Sequence, residues 1–414
     1  MRTRLACFPS LSNALPIIVL MAISLMISTA GSAQPSAGST EKSLPSECLK
    51  LRELAHTQGD ASPIITACIS SLPDHATLRL SPGQYHLRTP LMISRPITIE
   101  TAALNPARAC RNGDSNGCAV LILEEMLSPR VASTMPIEIE ASDVTLRAIA
   151  VTGNNTRNAD WERQVCLANN TRPLGGGIRV RGSGFRLQDA LIRNVRCHSA
   201  LEIVASAGSP NIFDSTIGPN GTHDVHLLWA DGVTIHDTHD ARVEGNLFLD
   251  NTDVQLIFGG CRDCIVSGNI FRHSAAFAQA SFAELMIHAW PNTSGNFTGS
   301  TISQNDIDCG KAKRCGYGIM IGGEPWYSSK TFGGTVSNNH IDNASLALNV
   351  DLLTGPMTIT NNRISRSGGI ANSDCGRKTW PAVNISPPSL KLVRTDIRDF
   401  ASMSTAKCIV LRQP

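Results

Sequence analysis

Aromatic side chains are scarce in this 414-residue chain: Phe, Trp and Tyr together make up 5% of it. Charge is sparse too, at 17%, whereas glycine is frequent, with 33 residues. This balance, with its many asparagines, points away from helical bundles and toward strands joined by turns. Long apolar runs are missing after residue 30. The single run, Ala14 to Ala30, follows Arg2 and Arg4 and precedes Gly31, Ser32 and Ala33. It reads as a secretory leader, residues 1–33, with cleavage expected after Ala33. An excess of one charge is missing as well. Without the leader's two arginines, 34 basic residues face 34 acidic ones. Nothing electrostatic then favours nucleic acid or an anionic membrane as a partner.

Cysteine is present in a number that fits export. Of 13, Cys7 lies in the leader, leaving an even 12, which reads as disulfides. Proximity pairs Cys48 with Cys68, Cys110 with Cys118, Cys166 with Cys197, Cys261 with Cys264, Cys309 with Cys315, and Cys375 with Cys408. The "CRDC" at 261–264 lacks the second ligand pair that zinc requires and the thioredoxin setting that redox chemistry requires. The expected location is secreted or periplasmic.

A loose repeat organises the rest. "QDALI", "FDSTI", "EGNLF", "SGNIF", "SQNDI", "SNNHI" and "TNNRI" end at Ile192, Ile217, Phe248, Phe271, Ile307, Ile341 and Ile364. The steps are 25, 31, 23, 36, 34 and 23 residues, a period near 24 with insertions. A strand-bearing unit of that length cannot bury its own apolar side chains. Stacked as parallel coils, the units share one core. Asn at the bends fits its tolerance of left-handed backbone angles. The seven N-x-S/T triplets follow from these Asn-rich turns.

The pattern resembles the right-handed parallel β-helix of the pectin-lyase-like superfamily, from about Ala76 to Ile364. That resemblance implies an all-β solenoid of 22–25-residue coils. The expected divisions are a linker and capping segment at 34–75, the β-helix at 76–368 and a C-terminal cap or tail at 369–414. "CLKLRELAHT", Cys48 to Thr57, reads as a short capping helix. "ATLRLSPGQYHL", Ala76 to Leu87, reads as strand, turn, strand.

The repeat also serves as a ruler. "ARVEGNLF" aligns with "CIVSGNIF" at an offset of 23 residues, which puts Val233 on Leu256 and Ile235 on Phe258. The loaded pentapeptide "HDTHD", His236 to Asp240, then falls on "GGCRD" and is expected to be a turn. Only His236 is expected to reach the strand's outer side. Alternation makes Ile178, Val180, Leu201, Ile203, Val233, Ile235, Leu256, Phe258, Leu285, Ile287, Ile319, Ile321, Leu348 and Val350 inward. Their outward neighbours form a column of Arg179, Arg181, Glu202, Thr234, His236, Gln255 (with Asp253 below it), Glu284, His288, Asn349 and Asp351. Acids and bases on neighbouring rungs are the material of a polysaccharide cleft. Hydrolysis needs two carboxyl groups in opposite protonation states. Elimination or C5 epimerisation of a uronate needs a base and nearby cations, a role open to Arg179, Arg181 and His288. Glu202 and Asp253 are the carboxylates that could hold Ca²⁺.

"WADGVTI" and "DNTDVQLI" resemble the polygalacturonase-type glycosidases, whose Asn-Thr-Asp motif is followed by Gly-Asp-Asp, Gly-His-Gly and Arg-Ile-Lys. Carried across, the resemblance makes Asp231 and Asp253 members of the acid–base set, with His273 or His288 for the later histidine. Here one Asp fills the paired position, and Gly-His-Gly and Arg-Ile-Lys are absent. Strict alternation points Asp231 and Asp253 to opposite faces unless a bulge intervenes. Insertions carry Trp229, Trp290 and Trp326, whose flat faces suit sugars. His-x-x-His at 223–226 and 236–239 spaces its imidazoles poorly for a strand, so no transition metal is assigned.

The sequence thus predicts a carbohydrate-active β-helix acting on a polysaccharide or oligosaccharide. Hydrolysis leads, with lyase or C5-epimerase next and a non-catalytic glycan-binding or envelope protein as the rival. Expected catalytic residues are Asp253, Asp231, Glu284 and His288. Expected substrate contacts are Arg179, Arg181, Glu202, His236, Gln255, Trp229, Trp290 and Trp326. No metal site is assigned; Ca²⁺ is the one cofactor kept open.

Overall fold

A computed structural model describes residues 45–126, 133–154, 158–167, 172–222, 228–274, 281–322, 330–398, 400–401, 408 and 410. They fall in one compact unit. The expected leader, His223, Asp224, His226 and Trp326 lie outside the described residues.

Three long parallel sheets, one of 11 strands and two of ten, wind around a single core. Within each sheet the neighbours are mostly three strands apart in sequence, so each coil gives one strand to each face. The seven residues that end the repeats stack in one unbroken row, Ile192–Ile217–Phe248–Phe271–Ile307–Ile341–Ile364. Phe248 and Phe271 lie face to face, 4.8 Å between ring centres. All fourteen residues expected to point inward from the third sheet are in the core.

The asparagines do more than bend the chain. Asn246, Asn269, Asn305, Asn339 and Asn362 form a ladder inside the coil. Each Nδ2 donates to the next Oδ1 at 2.9–3.0 Å. Each of the last four Oδ1 atoms also accepts the backbone N–H of the asparagine one rung before it. Buried amides are tolerated here because both ends are satisfied. The left-handed residue is the one before the ladder position, namely Asp189, Asp214, Gly245, Gly268, Gln304, Asn338 and Asn361. Asn338 and Asn361 thus take the left-handed bend expected of asparagine, while the ladder asparagines bond inside the coil.

All six disulfides join the cysteines paired by proximity. The strands Ala76–Leu80 and Gly83–Leu87 form as expected. Gly83 has φ +147°, and a Cβ there would lie 2.5 Å from the Ala55 carbonyl oxygen, which is why this turn requires glycine. The expected capping helix is two short turns, Ser46–Leu49 and Leu51–Leu54; the longer cap is Ser62–Ser71. Cys48, Leu51, Ile65, Cys68 and Ile69 close the core from that end.

Two expectations change. "HDTHD" is not a turn, because the strand Ala230–His239 runs through it. The ruler itself holds, with Asp237 on Gly260 and His239 on Arg262. The partner strand, Val254–Arg262, is nearly as long, nine residues against ten, so two extended segments stabilise each other. The turn begins one residue later, at Asp240 and Asp263, both with positive φ. The coil also continues past residue 368. Val383–Ile385 pairs with the third sheet's Leu348–Val350, and Val393–Thr395 with Met357–Ile359 of the first. Among the described residues no helix is long and apolar enough to cross a membrane.

Candidate functional site

The outer face of the third sheet carries the site, and one irregularity shapes it. Val254 belongs to an apolar cluster outside the coil, whereas Leu256 lies in the central core. Two successive residues, Gln255 and Leu256, therefore turn away from the outer face. Ladder pairing skips this level, at Gly232, Gln255, Glu284 and Gly318. Once per coil the alternation slips by one residue, as at a bulge.

The slip turns Asp231 outward with Val254, and Asp253, in the bend just before the strand, lies close enough to act on its charge. Asp231 aligns with Ser199, and its Oδ1 accepts the Val254 N–H at 3.1 Å. Its Oδ2 accepts from Thr234 Oγ1 at 2.8 Å, and Thr234 shares a hydrogen bond with Ser199 Oγ at 2.7 Å. Asp253 stands one rung on, its N–H bound to the Ala230 carbonyl at 3.1 Å. Both aspartates are half-buried. Burial first, and then the neighbouring Asp253 charge, pushes the Asp231 carboxyl up to about 7, against the hydrogen bonds that favour its charged form.

Arg172 completes this corner and was not foreseen. Burial holds its guanidinium below arginine's ordinary range, while Asp253 and then Asp231 pull the other way. It donates to the carbonyls of Cys166 and Trp229, both at 2.9 Å. The Cys166–Cys197 disulfide fixes the segment that carries it. That predicted disulfide beside "TRPLGGG" was the sequence signal available for it.

Beside the acid pair lies a charge cluster. Glu202 Oε2 accepts from Arg179 Nε at 2.6 Å, and Oε1 meets His236 Nε2 at 2.8 Å. His198 Nε2 stands 3.5 Å from Oε2. Burial alone would raise the Glu202 carboxyl, but His198, His236 and Arg179 hold it far below the carboxylate range. Arg179 is buried and also reaches Glu138 at 3.3 Å, so its charge is neutralised within the protein. Arg181 pairs with Glu138 at 3.2 Å and remains half-exposed. Both oxygens of Glu202 are thus engaged within the protein. Trp290 meets His236 edge-on, 5.3 Å between ring centres. Trp229 is half-buried, and its carbonyl also accepts the His198 N–H.

Three expected members belong elsewhere. Gln255 and Glu284 are fully buried, turned into the coil by the slip. Gln255 Nε2 donates to Glu284 Oε2 at 3.3 Å. Glu284 Oε1 meets His273 Nε2 at 2.9 Å, and His273 Nδ1 meets Asp250 at 3.2 Å. Burial alone would lower the His273 imidazole, but Glu284 and Asp250 hold it up at about 9. The three side chains of this triad are each 2% exposed or less. His288 is on the outer side at the level of Gly259 and Gly322, yet is 2% exposed. Burial takes its imidazole down to about 4, so it brings no positive charge to a substrate.

No protein-family model matches the chain, and no curated protein matches it. Solved structures do. A polygalacturonase from Erwinia carotovora ssp. carotovora aligns with TM-score 0.53 and 10% identity, over 76% of this chain and 93% of that one. The Dettilon tailspike protein gives 0.52 and 12%, over 80% of this chain and 62% of that one. A PL6 alginate lyase solved with a trisaccharide gives 0.50 and 14%, over 80% and 62%. This chain therefore spans less than two thirds of the latter two. The shared property is the fold, a parallel β-helix.

Proposed function

We propose that this is an exported, carbohydrate-active β-helix protein that hydrolyses glycosidic bonds of a polysaccharide at Asp231 and Asp253. The observation that carries the reading is two neighbouring carboxyl groups on successive coils, with burial and the Asp253 charge raising the Asp231 carboxyl well above its ordinary range. Such a pair divides into acid and base by environment. Asp231 gives its proton to the leaving oxygen as the C–O bond breaks. Asp253, ionised, takes a proton from the water whose oxygen bonds to the anomeric carbon. Arg172 offsets the charge left on Asp231. Trp290 and His236 offer flat surfaces for a sugar ring. Six disulfides support export, and the polygalacturonase and alginate lyase among its fold neighbours support the substrate class.

His198 and His236 beside the acid pair favour a second reading, proton abstraction from a uronate by a lyase or epimerase. Incubation with polygalacturonate, alginate and a neutral β-glucan separates the two. New reducing ends without the ultraviolet absorbance of an unsaturated sugar mean hydrolysis, and with it elimination. Binding to a glycan with no change in its size or composition means that the protein is not an enzyme.

A further inference from the structure

The outer face that carries the acid pair changes character halfway along the stack. In one column Ser199 and Asp231 are followed by Val254, Ala283, Tyr317 and Leu346. In the next, Glu138, Arg179, Glu202 and Thr234 give way to Ile257, Met286 and Met320. These apolar side chains point out of the coil, yet all but Ile257 are buried.

The chain's own C-terminal segment buries them. Ala371 and Trp380, from the two strands of a hairpin, and Val410 pack on Phe282, Tyr317 and Met320 in one cluster. The Val410 N–H donates to Tyr317 Oη at 3.2 Å. Ser373 bridges Val410, and Ala401 bridges Asn384. The Cys375–Cys408 disulfide ties the hairpin to the last stretch of chain, and Lys313 Nζ donates to the Gly368 carbonyl at the hairpin's base. A segment so anchored is a fixed strap across the face.

We propose that this strap is the end wall of the substrate groove, so that the protein takes a polysaccharide by its terminus and acts on the outermost linkage. The inference rests on the functional reading of Asp231 and Asp253. A polymer bound through its middle must continue past the acid pair in both directions. On one side Thr234, His198 and His236 offer polar, partly exposed contacts, with buried Glu202 holding the two histidines. On the other, Val254 and Ala283 belong to the apolar cluster that Trp380 and Val410 complete, and the strap is bonded to the face at Tyr317, two rungs past Val254 at about 4.8 Å per rung. Only a chain end fits with its last sugar against the wall. The step itself is unchanged: the terminal C–O bond breaks, Asp231's proton goes to the leaving oxygen, and the hydroxyl of water goes to the released carbon.

The test compares viscosity with new chain ends for the intact protein acting on polygalacturonate, alginate and a neutral β-glucan. Action at termini predicts mono- or disaccharide products and accumulating ends while viscosity barely falls. An early collapse of viscosity overturns the strap as end wall. Trp380→Ala and the double variant Cys375→Ser/Cys408→Ser loosen the strap. Folded by circular dichroism, they are expected to cut internally, losing viscosity several-fold faster per new end, with turnover of a trisaccharide retained. Folded variants that keep the wild-type product pattern likewise overturn it. Failure of the underlying reading shows differently: Asp231→Asn would retain full activity, whatever the product pattern.

Discussion

One outer face, two halves. Over the earlier rungs the third sheet presents Arg179, Glu202, Thr234, His236 and Asp231; over the later ones it presents Val254, Met286, Tyr317 and Met320. Backbone, pairing and rung spacing are the same. The difference lies in what faces outward, and so in what covers it. Of these polar groups Asp231, Thr234 and His236 stay partly exposed, whereas Arg179 and Glu202 are buried against each other. Apolar groups at equivalent positions recruit the chain's own tail, because burying them stabilises by about 25 cal/mol per Å². In a solenoid, function and structural closure can therefore be allotted rung by rung on a single face.

The largest expected effect sharpens that contrast. Asp231→Asn and Asp253→Asn in the open half are expected to lower turnover by ~10²–10⁴-fold, the usual weight of a positioned acid or base, with the melting temperature unchanged or raised. Met286→Ala in the covered half should instead cost ~2–5 kcal/mol of stability and leave trisaccharide turnover near wild type. Chemical denaturation beside turnover assays checks both. Loss of turnover at full stability in Met286→Ala would erase the distinction.

Next in size is the interior triad. Glu284→Gln leaves charged His273 buried with one partner fewer, and a loss of ~3–5 kcal/mol is expected. His273 is held up at about 9 in the folded protein, against about 6.5 unfolded. Its contribution is full below pH 6.5 and is lost as pH rises through 9. Melting temperatures between pH 6 and 10 should show this fall, and His273→Gln should lack it.

Asp231 gives a smaller, separable signature. As a general acid titrating at about 7, it predicts turnover that falls as pH rises through neutrality. Since the folded state holds this proton to a higher pH than the unfolded state, stability should also decline between roughly pH 4 and 7. Asp231→Asn should remove that decline; its persistence would place the titration on another group. Smallest of all, Arg181→Ala, at a half-exposed ion pair, should change stability by less than about 1 kcal/mol.

Much of this was legible in the sequence where side chains obey a period. The rows from Ile192 to Ile364 and the inward set of the third sheet follow from alternation and an offset of 23 residues. Asp231 and Asp253 were legible as a motif but not as neighbours. Their meeting depends on the slip that turns Asp231 outward and on the bend at 252–253 that carries Asp253, neither of which an apolar pattern records. The same slip took Gln255 and Glu284 from the outward column into the core. Arg172 and the strap escaped for another reason: each depends on packing between segments far apart in sequence, and periodicity carries no such information.

The helix Ser62–Ser71 has a consequence beyond covering the core. A parallel stack presents unpaired backbone at its first and last coils, and another copy could dock there in register and extend the stack into a fibre. An asparagine ladder, self-complementary by construction, would welcome that growth. With Ile65 and Ile69 seated on the first coils, the helix removes one of the two ends needed for such growth. What begins as a cap on exposed apolar side chains thus sets a limit on polymerisation.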